Sequence, residues 1–259
     1  MSKNLAANIL RGRKCVYCSA YDMYRLADKR VKCRCCRRVY SLAKLRRELE
    51  ILHYFSLELS ANRAANELGV SYKTVRSLYM FFRRRLAEHL EENFRKLRGE
   101  LEIDETYFGG KRKGKRGRGA FNKVVVFGIL ERNGKVYTTV VPDVKAETLM
   151  QEIRDKTEKG SVYYTDCFKS YKSLKQYGKH HRINKEKAFA KGRTHINGLE
   201  GFWSFAKERF HKYHGINKDN YPLYLKEMEF RFNNRNSDIF KEMLKIIYQK
   251  QGEFGTNST

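Results

Sequence analysis

The chain has 259 residues and a formal net charge of +26 at pH 7, with 55 Lys and Arg against 29 Asp and Glu. This length suffices for a catalytic domain plus one or two small modules, and the charge favours a polyanionic partner over a merely basic protein. A membrane protein is disfavoured, because no stretch approaches the roughly 20 apolar residues of a spanning helix. No hydrophobic signal sequence opens the chain, so we expect a cytoplasmic protein.

Residues 1–45 contain five of the six cysteines, which predicts a metal site. An odd-numbered cluster without an export signal favours a metal over disulfides, although a redox or merely buried group is the alternative. Two CxxC pairs separated by 14 residues are expected to bind Zn²⁺ tetrahedrally. The predicted ligands are Cys15, Cys18, Cys33 and Cys36. We therefore predict a zinc ribbon, with Cys35 outside the ligand set.

Residues 46–98 carry a helix-turn-helix pattern. Ala65 allows close helix packing, Gly69 fits the turn four residues later, and Ser71 can cap the next helix. The start of that second helix is where such motifs usually contact base edges. The residues expected there to bind DNA are Tyr72, Lys73, Thr74 and Arg76. The alternative is an ordinary helical hairpin that links two domains.

From residue 99 to 259, strand and helix signals alternate. The predicted elements, in chain order, are strands over 101–108, 123–131 and 135–144, a helix over 146–159, a strand over 161–166, a helix over 168–178, a weaker strand near 180–186, a helix over 194–210 and a helical tail from about Tyr221. The loop after the first strand is rich in basic residues that we expect to bind DNA. These are Lys111, Arg112, Lys113, Lys115 and Arg116.

This order of elements is that of the ribonuclease H-like fold, an α/β fold with a mixed sheet. The first and fourth strands are neighbours in such a sheet, so Asp104 and Asp166 would lie side by side. The helix that carries Glu200 packs across the same edge and adds a third carboxylate. Converging carboxylates of this kind bind two divalent cations in phosphoryl-transfer sites. Each acid alone also has a structural explanation, as a strand-end residue, a helix N-cap or a surface glutamate.

The predicted helix around Glu200 has a buried apolar stripe and a polar flank. Lys207 follows Glu200 by nearly two helical turns, so a carboxylate for a metal and a cation for a phosphate would project together. A simple polar flank is the alternative. Trp203 is assigned to the core. Glu105 should point to the opposite face of its strand from Asp104, so it is left out of the metal site.

Together these motifs resemble the bacterial insertion-sequence DDE transposases of the ISXO-like kind that carry an N-terminal zinc ribbon. The resemblance rests on the cysteine pairs, RAANELGVSYKTV, IDETYFGGKRKGKRGRG, the YTD run that ends in Asp166, and HINGLEGFWSFAK with the downstream EFRFNNR. These runs are distributed over nearly the whole chain. The resemblance therefore applies to all three predicted segments, 1–45, 46–98 and 99–259.

The resemblance implies recognition of terminal inverted repeats, strand cleavage to expose a 3′ hydroxyl, and transfer of that hydroxyl into target DNA, with Mg²⁺ or Mn²⁺ as cofactor. It assigns metal binding to Asp104, Asp166 and Glu200, and DNA contact to Lys207. Some relatives carry asparagine at the third position, so Asn197 is the alternative there; Glu200 is preferred because a carboxylate is the harder ligand. Two element ends must meet, so we expect a homo-oligomer on DNA, associated with the bacterial nucleoid.

Other functions fit parts of this pattern. A zinc-ribbon and helix-turn-helix regulator with an inactive large domain would bind DNA without cleaving it. A metal-dependent nuclease, such as a junction resolvase, would cleave DNA without joining it. An RNA-degrading ribonuclease H fits the fold but leaves two DNA-binding modules without a role.

Overall fold

The computed structural model describes residues 8–109, 123–132, 134–183, 196–213 and 215–249. The basic loop with Lys111, Arg112, Lys113, Lys115 and Arg116 lies outside these residues. The chain divides into two compact units, one formed by Met1–His89 with Asn234–Thr259 and the other by Leu90–Asn233.

The first unit begins with a small antiparallel sheet in the order β1-β2-β3. Its strands are β1 (Met23–Arg25), β2 (Val31–Cys33) and β3 (Val39–Tyr40), and the helices α1 (Leu42–Ser56), α2 (Ala61–Leu68) and α3 (Tyr72–Glu92) follow. Serine side chains accept backbone N–H groups at the start of all three helices. Gly69 ends α2 in the left-handed conformation, with φ of 62°. The predicted pair of helices with its short turn is therefore present.

The C-terminal helix α7 (Ile239–Tyr248) belongs to the first unit. The Tyr248 hydroxyl donates to Glu48 of α1, and the ring of Phe240 packs against that of His53 at 5.8 Å. The sequence analysis instead assigned this helix to the third predicted segment, 99–259. The compact second unit ends at Asn233 because the buried side of α7 packs against α1.

The second unit is built on a mixed five-stranded sheet in the order β6-β5-β4-β7-β8. Its strands are β4 (Glu100–Phe108), β5 (Val124–Glu131), β6 (Val136–Val141), β7 (Val162–Asp166) and β8 (Lys179–Ile183). β4, β5 and β6 pair antiparallel, whereas β7 runs parallel to β4 and β8 parallel to β7. The other elements are α4 (Ala146–Lys156), a 3-10 helix over Lys169–Gln176, α5 (Asn197–Lys212) and α6 (Tyr221–Asn233). This order confirms the predicted ribonuclease H-like fold.

The two faces of this sheet bury different cores. One core lies under α4 and the 3-10 helix and includes Leu101 and Ile103 of β4. The other lies under α5 and α6 and includes Phe108 of the same strand. Because side chains alternate along a strand, Asp104 lies on the α5 face and Glu105 on the opposite face, as predicted.

The outer edge of β6 is occupied by side chains of α6. The backbone N–H and hydroxyl of Thr138 both donate to Glu229, each at 2.8 Å. Asn233, one turn later, accepts from the backbone N–H of Val136 and donates to its carbonyl, at 2.8 and 2.9 Å. Burial raises the pKa of Glu229, and the Lys226 ammonium opposes that effect. The edge groups that an unprotected strand would expose are therefore paired at these two residues.

We predict that Asn233→Ala opens this end of β6. It removes both hydrogen bonds to Val136, at a cost of about 1–3 kcal/mol. The amide of Val136 should exchange faster with solvent, as measured by hydrogen exchange with NMR detection. Gln151→Ala, which removes an exposed amide from α4, is the control and should leave the exchange unchanged. Equal Val136 protection in both variants would contradict the pairing.

Candidate active site and metal centres

Asp104 and Asp166 lie on two neighbouring strands. β4 and β7 are parallel, and their pairing ends with Glu102 aligned to Tyr164. Asp104, in the middle of β4, and Asp166, at the end of β7, each follow this aligned pair by two residues. Adjacent strands are about 4.8 Å apart, and residues two positions apart on a strand point to the same face. The strand pairing therefore brings both carboxylates to the same face of the sheet.

A buried tyrosine of the 3-10 helix is affected by the charges of both acids. The Tyr171 hydroxyl donates to Glu105 at 2.7 Å. Burial raises the pKa of Tyr171 well above its usual value, and the charges of Glu105, Asp104 and Asp166 raise it further. One hydroxyl thus lies within electrostatic reach of both candidate ligands.

Asp166 also has a local structural role, although it forms a turn rather than the helix N-cap, which is Phe168. Its Oδ1 accepts the backbone N–H of Phe168 at 2.9 Å, which turns the chain into the 3-10 helix. A carboxylate offers about four acceptor positions, so this bond is compatible with cation binding.

Two hydrogen bonds attach α5 to β4 on either side of Glu200. The backbone N–H of Leu199 donates to Glu102 at 2.9 Å, and the Trp203 indole donates to Asp104 at 3.1 Å. Four residues of helix span about 6 Å and two residues of strand about 6.8 Å, so helix and strand run alongside each other here. Glu200, which is half-buried, therefore lies on the turn of α5 that these two hydrogen bonds attach to β4.

Glu102 is the residue that orients the start of α5, and the sequence analysis did not single it out. Its side chain is 1% exposed and also accepts from the Arg132 guanidinium at 3.1 Å. A negative charge next to the first turn of a helix offsets its unpaired N–H groups. A Cβ at Gly198 would lie 2.4 Å from Leu130 and 3.0 Å from Glu102, so the helix approaches this closely only with glycine there. The available signal was a glutamate two residues before Asp104 in a predicted strand, and therefore on the same face as Asp104.

Lys207 lies on α5 within electrostatic reach of Asp104. Loss of water around its ammonium lowers the pKa of Lys207, the Asp104 charge opposes this, and Lys123 adds to the lowering. The residue as a whole is exposed. A cation is thus available to a bound anion beside the carboxylates.

The three carboxylates are the kind of donor set that Mg²⁺ and Mn²⁺ prefer. Within the described ranges, only the four cysteines bring three or more histidine, cysteine or acidic ligand atoms within 4.8 Å of one another. The carboxylate oxygens of Asp104, Asp166 and Glu200 therefore do not form such a close group in this structure. Two cations would divide the three carboxylates between them, so that each cation needs only part of the set.

The four predicted zinc ligands do come together in the first unit. The sulfur atoms of Cys15 and Cys36 are 3.6 Å apart, and those of Cys18 and Cys33 are 3.5 Å apart. A zinc ion with four sulfur ligands at about 2.3 Å separates them by roughly 3.8 Å, so the spacing fits. Cys35 is exposed and is not one of the four.

Both cysteine pairs have the same local backbone. The residue after each second cysteine, Ser19 and Arg37, adopts a left-handed conformation with φ of 63° and 58°. Burial raises the pKa of Cys18, but the Ala20 backbone N–H and hydrogen bonds with the other thiols outweigh it and bring the pKa to about 7. A thiol with this pKa readily supplies the thiolate that binds zinc.

The candidate DNA-binding residues of the helix-turn-helix are accessible. Tyr72, Lys73, Thr74 and Arg76 all lie at the start of α3 and are exposed. The Thr74 hydroxyl is within hydrogen-bond distance of Ser71, at 2.9 Å, so it contributes to the helix cap as well. No helix in the described part of the chain is long and apolar enough to cross a membrane.

Comparison with known proteins identifies the class. The family model for the ISXO2-like transposase domain matches residues 96–233, more than half of the chain. The chain therefore belongs to this family of insertion-sequence DDE transposases.

Individual proteins show the same relationship. An uncharacterized transposase-like protein of Haemophilus influenzae is 46% identical over 116 residues, which cover 44% of this chain and 92% of that protein. An uncharacterized protein in transposable element ISH50 of Halobacterium salinarum is 28% identical over a 299-residue alignment, covering 96% of this chain and 97% of that one. The catalytic core domain of BIV integrase is 13% identical with a TM-score of 0.37, covering 56% of this chain and 93% of that chain. At this low similarity, the fold class follows from the strand order and the family instead.

We predict that Glu102→Gln destabilises the second unit by about 2–4 kcal/mol. The amide cannot accept from both Leu199 and Arg132, so one buried donor loses its partner. Thermal unfolding followed by circular dichroism measures the loss. Glu147→Gln, an exposed change on α4, should have no such effect. Equal melting temperatures for the two variants would show that Glu102 does not hold α5.

Proposed function

We propose that this chain is the transposase of an insertion sequence. It binds the ends of the element, cleaves a strand to free a 3′ hydroxyl, and joins that hydroxyl to target DNA. The observation that carries this proposal is that Asp104 and Asp166 follow the aligned pair Glu102 and Tyr164 by the same two residues on adjacent parallel strands. The helix that carries Glu200 is hydrogen-bonded to the strand of Asp104. Membership in the transposase family supports it independently.

Asp104, Asp166 and Glu200 are the residues that would hold two Mg²⁺ or Mn²⁺ ions. Bound in this way, such ions activate the attacking hydroxyl and stabilise the leaving oxygen. The protein's own contribution is to fix the carboxylates through the sheet register and through α5. Lys207 would contact a phosphate of the bound strand.

The DNA itself would be held by residues outside this cluster. A charge of +26 favours binding along several phosphates. The start of α3, with Tyr72, Lys73, Thr74 and Arg76, would read the element end, and the basic loop 111–116 would bind phosphates. Joining requires two element ends in one complex, so the active form would be a homo-oligomer on DNA.

The four-cysteine site would hold a structural Zn²⁺ ion. The sheet around it has strands of only two or three residues, so it offers little core of its own. Metal binding would then supply much of the folding free energy of the ribbon. Correct folding of this ribbon would in turn support end recognition.

We predict that Asp104→Asn, Asp166→Asn and Glu200→Gln each lower strand cleavage by about 100-fold or more, because each removes a charged ligand worth several kcal/mol. Binding to a duplex of the element end should change little. Cleavage and joining are measured with Mg²⁺ on a plasmid that carries the element's inverted repeats.

Glu208→Gln is the matched control, since Glu208 is exposed on the same helix; it should retain activity. Full joining activity in Glu200→Gln would exclude Glu200 as a metal ligand and favour Asn197, the alternative third ligand. A wild-type protein that cleaves without joining would be a nuclease, and one that binds without cleaving would be a regulator.

We predict that the purified chain contains one zinc ion and that Cys18→Ser loses it and weakens binding to the element end. Cys35→Ser should keep both, because Cys35 is outside the four-cysteine group. Atomic absorption measures the zinc, and a gel-shift titration measures DNA binding. Unchanged zinc content in Cys18→Ser would rule out the ribbon assignment.

A further inference from the structure

Trp203 is the only tryptophan of the chain, and it is 4% exposed. Its burial alone matches the assignment to the core. A buried indole N–H needs an acceptor, however, and many carbonyl or hydroxyl groups would serve. Here the acceptor is Oδ2 of Asp104, at 3.1 Å.

The sheet is shaped to admit this ring. Gly128 of β5 lies directly opposite Asp104 in the antiparallel register. A Cβ on Gly128 would lie 2.6 Å from Cζ2 of Trp203, closer than packed carbon atoms come. Glycine at this position therefore allows the indole to lie over β5 and reach the carboxylate on β4.

Neighbouring rings fix the indole once it is in place. Phe202 packs against it with ring centroids 5.1 Å apart, and Phe108 makes an edge contact at 6.3 Å. Packing thus fixes the position of the indole N–H. Because the ring cannot follow, a rotation of the Asp104 carboxylate would break the hydrogen bond.

We propose that Trp203 is a positioning residue for metal binding: it orients the Asp104 carboxylate and couples it to the helix that carries Glu200. This inference rests on the proposed function of Asp104 as a metal ligand. A carboxylate oxygen has two lone pairs, so it can accept the indole N–H and still ligate a cation. Groups that hydrogen-bond to metal ligands commonly contribute 10- to 100-fold to metal affinity.

The test measures Mn²⁺ binding to the full, zinc-loaded chain by electron paramagnetic resonance of the free ion. Trp203→Phe keeps an aromatic ring and removes the donor, and should bind Mn²⁺ about 10- to 100-fold more weakly. Gly128→Ala keeps the indole but displaces it, and should act in the same direction. Circular dichroism and zinc content should show that both variants remain folded.

Phe205→Leu is the matched control, because it removes an aromatic ring from the same helix but leaves Phe108 and Phe202, the rings that pack against the indole, in place. It should lower the melting temperature while the Mn²⁺ affinity stays at the wild-type value. Wild-type affinity in Trp203→Phe would overturn the inference, as would an equal loss of affinity in Phe205→Leu.

The single tryptophan also supplies a direct readout. Its emission should change as Mg²⁺ is added to the wild-type chain, and should not change in Asp104→Asn. Constant emission at saturating Mg²⁺ would contradict the coupling.

If wild type and Asp104→Asn bind Mn²⁺ equally, the proposed metal site itself fails. If wild type binds more tightly than Asp104→Asn but Trp203→Phe matches wild type, only the role of Trp203 fails.

Discussion

The second unit depends on the docking of one helix, α5, against one strand, β4. The helix start is held by a buried carboxylate, Glu102, and the next turn by the candidate ligand Asp104. A hydrogen bond to a charged acceptor contributes about 1.5–3 kcal/mol, so two of them fix both the position and the rotation of the helix. Glu200 and Lys207 take their places from that docking, since neither belongs to the sheet.

Four acidic residues on the single strand β4 each have a different hydrogen-bond partner. Glu100 accepts from the Tyr164 hydroxyl, Glu102 from α5, Asp104 from an indole and Glu105 from a buried tyrosine. Alternation alone predicts which of them face α5. The partners lie 64 to 99 positions away along the chain, so only the folded structure determines which partner each acid binds.

Much of the architecture was nevertheless predictable, because it depends on local patterns. Strand and helix patterns gave the order of elements along the chain, which matches the ribonuclease H-like fold. Cysteine spacing gave the four-sulfur group with Cys35 outside it. The type of one helix and the packing partner of another were not predictable in this way. The segment Lys169–Gln176 forms a 3-10 helix, and Ile239–Tyr248 packs with the N-terminal unit, since an amphipathic helix does not encode which surface it covers. The site residues Asp104, Asp166 and Glu200 stay a prediction for solution experiments.

The side chains of Glu229 and Asn233 on the border of β6 have a consequence for assembly. Many proteins associate by letting the outermost strands of two copies zip into one continuous sheet. In this protein a neighbouring copy would first have to displace α6, whose side chains already bond to the backbone of Val136 and Thr138 at this edge. Association of copies of this chain through the β6 edge is therefore disfavoured at these two residues.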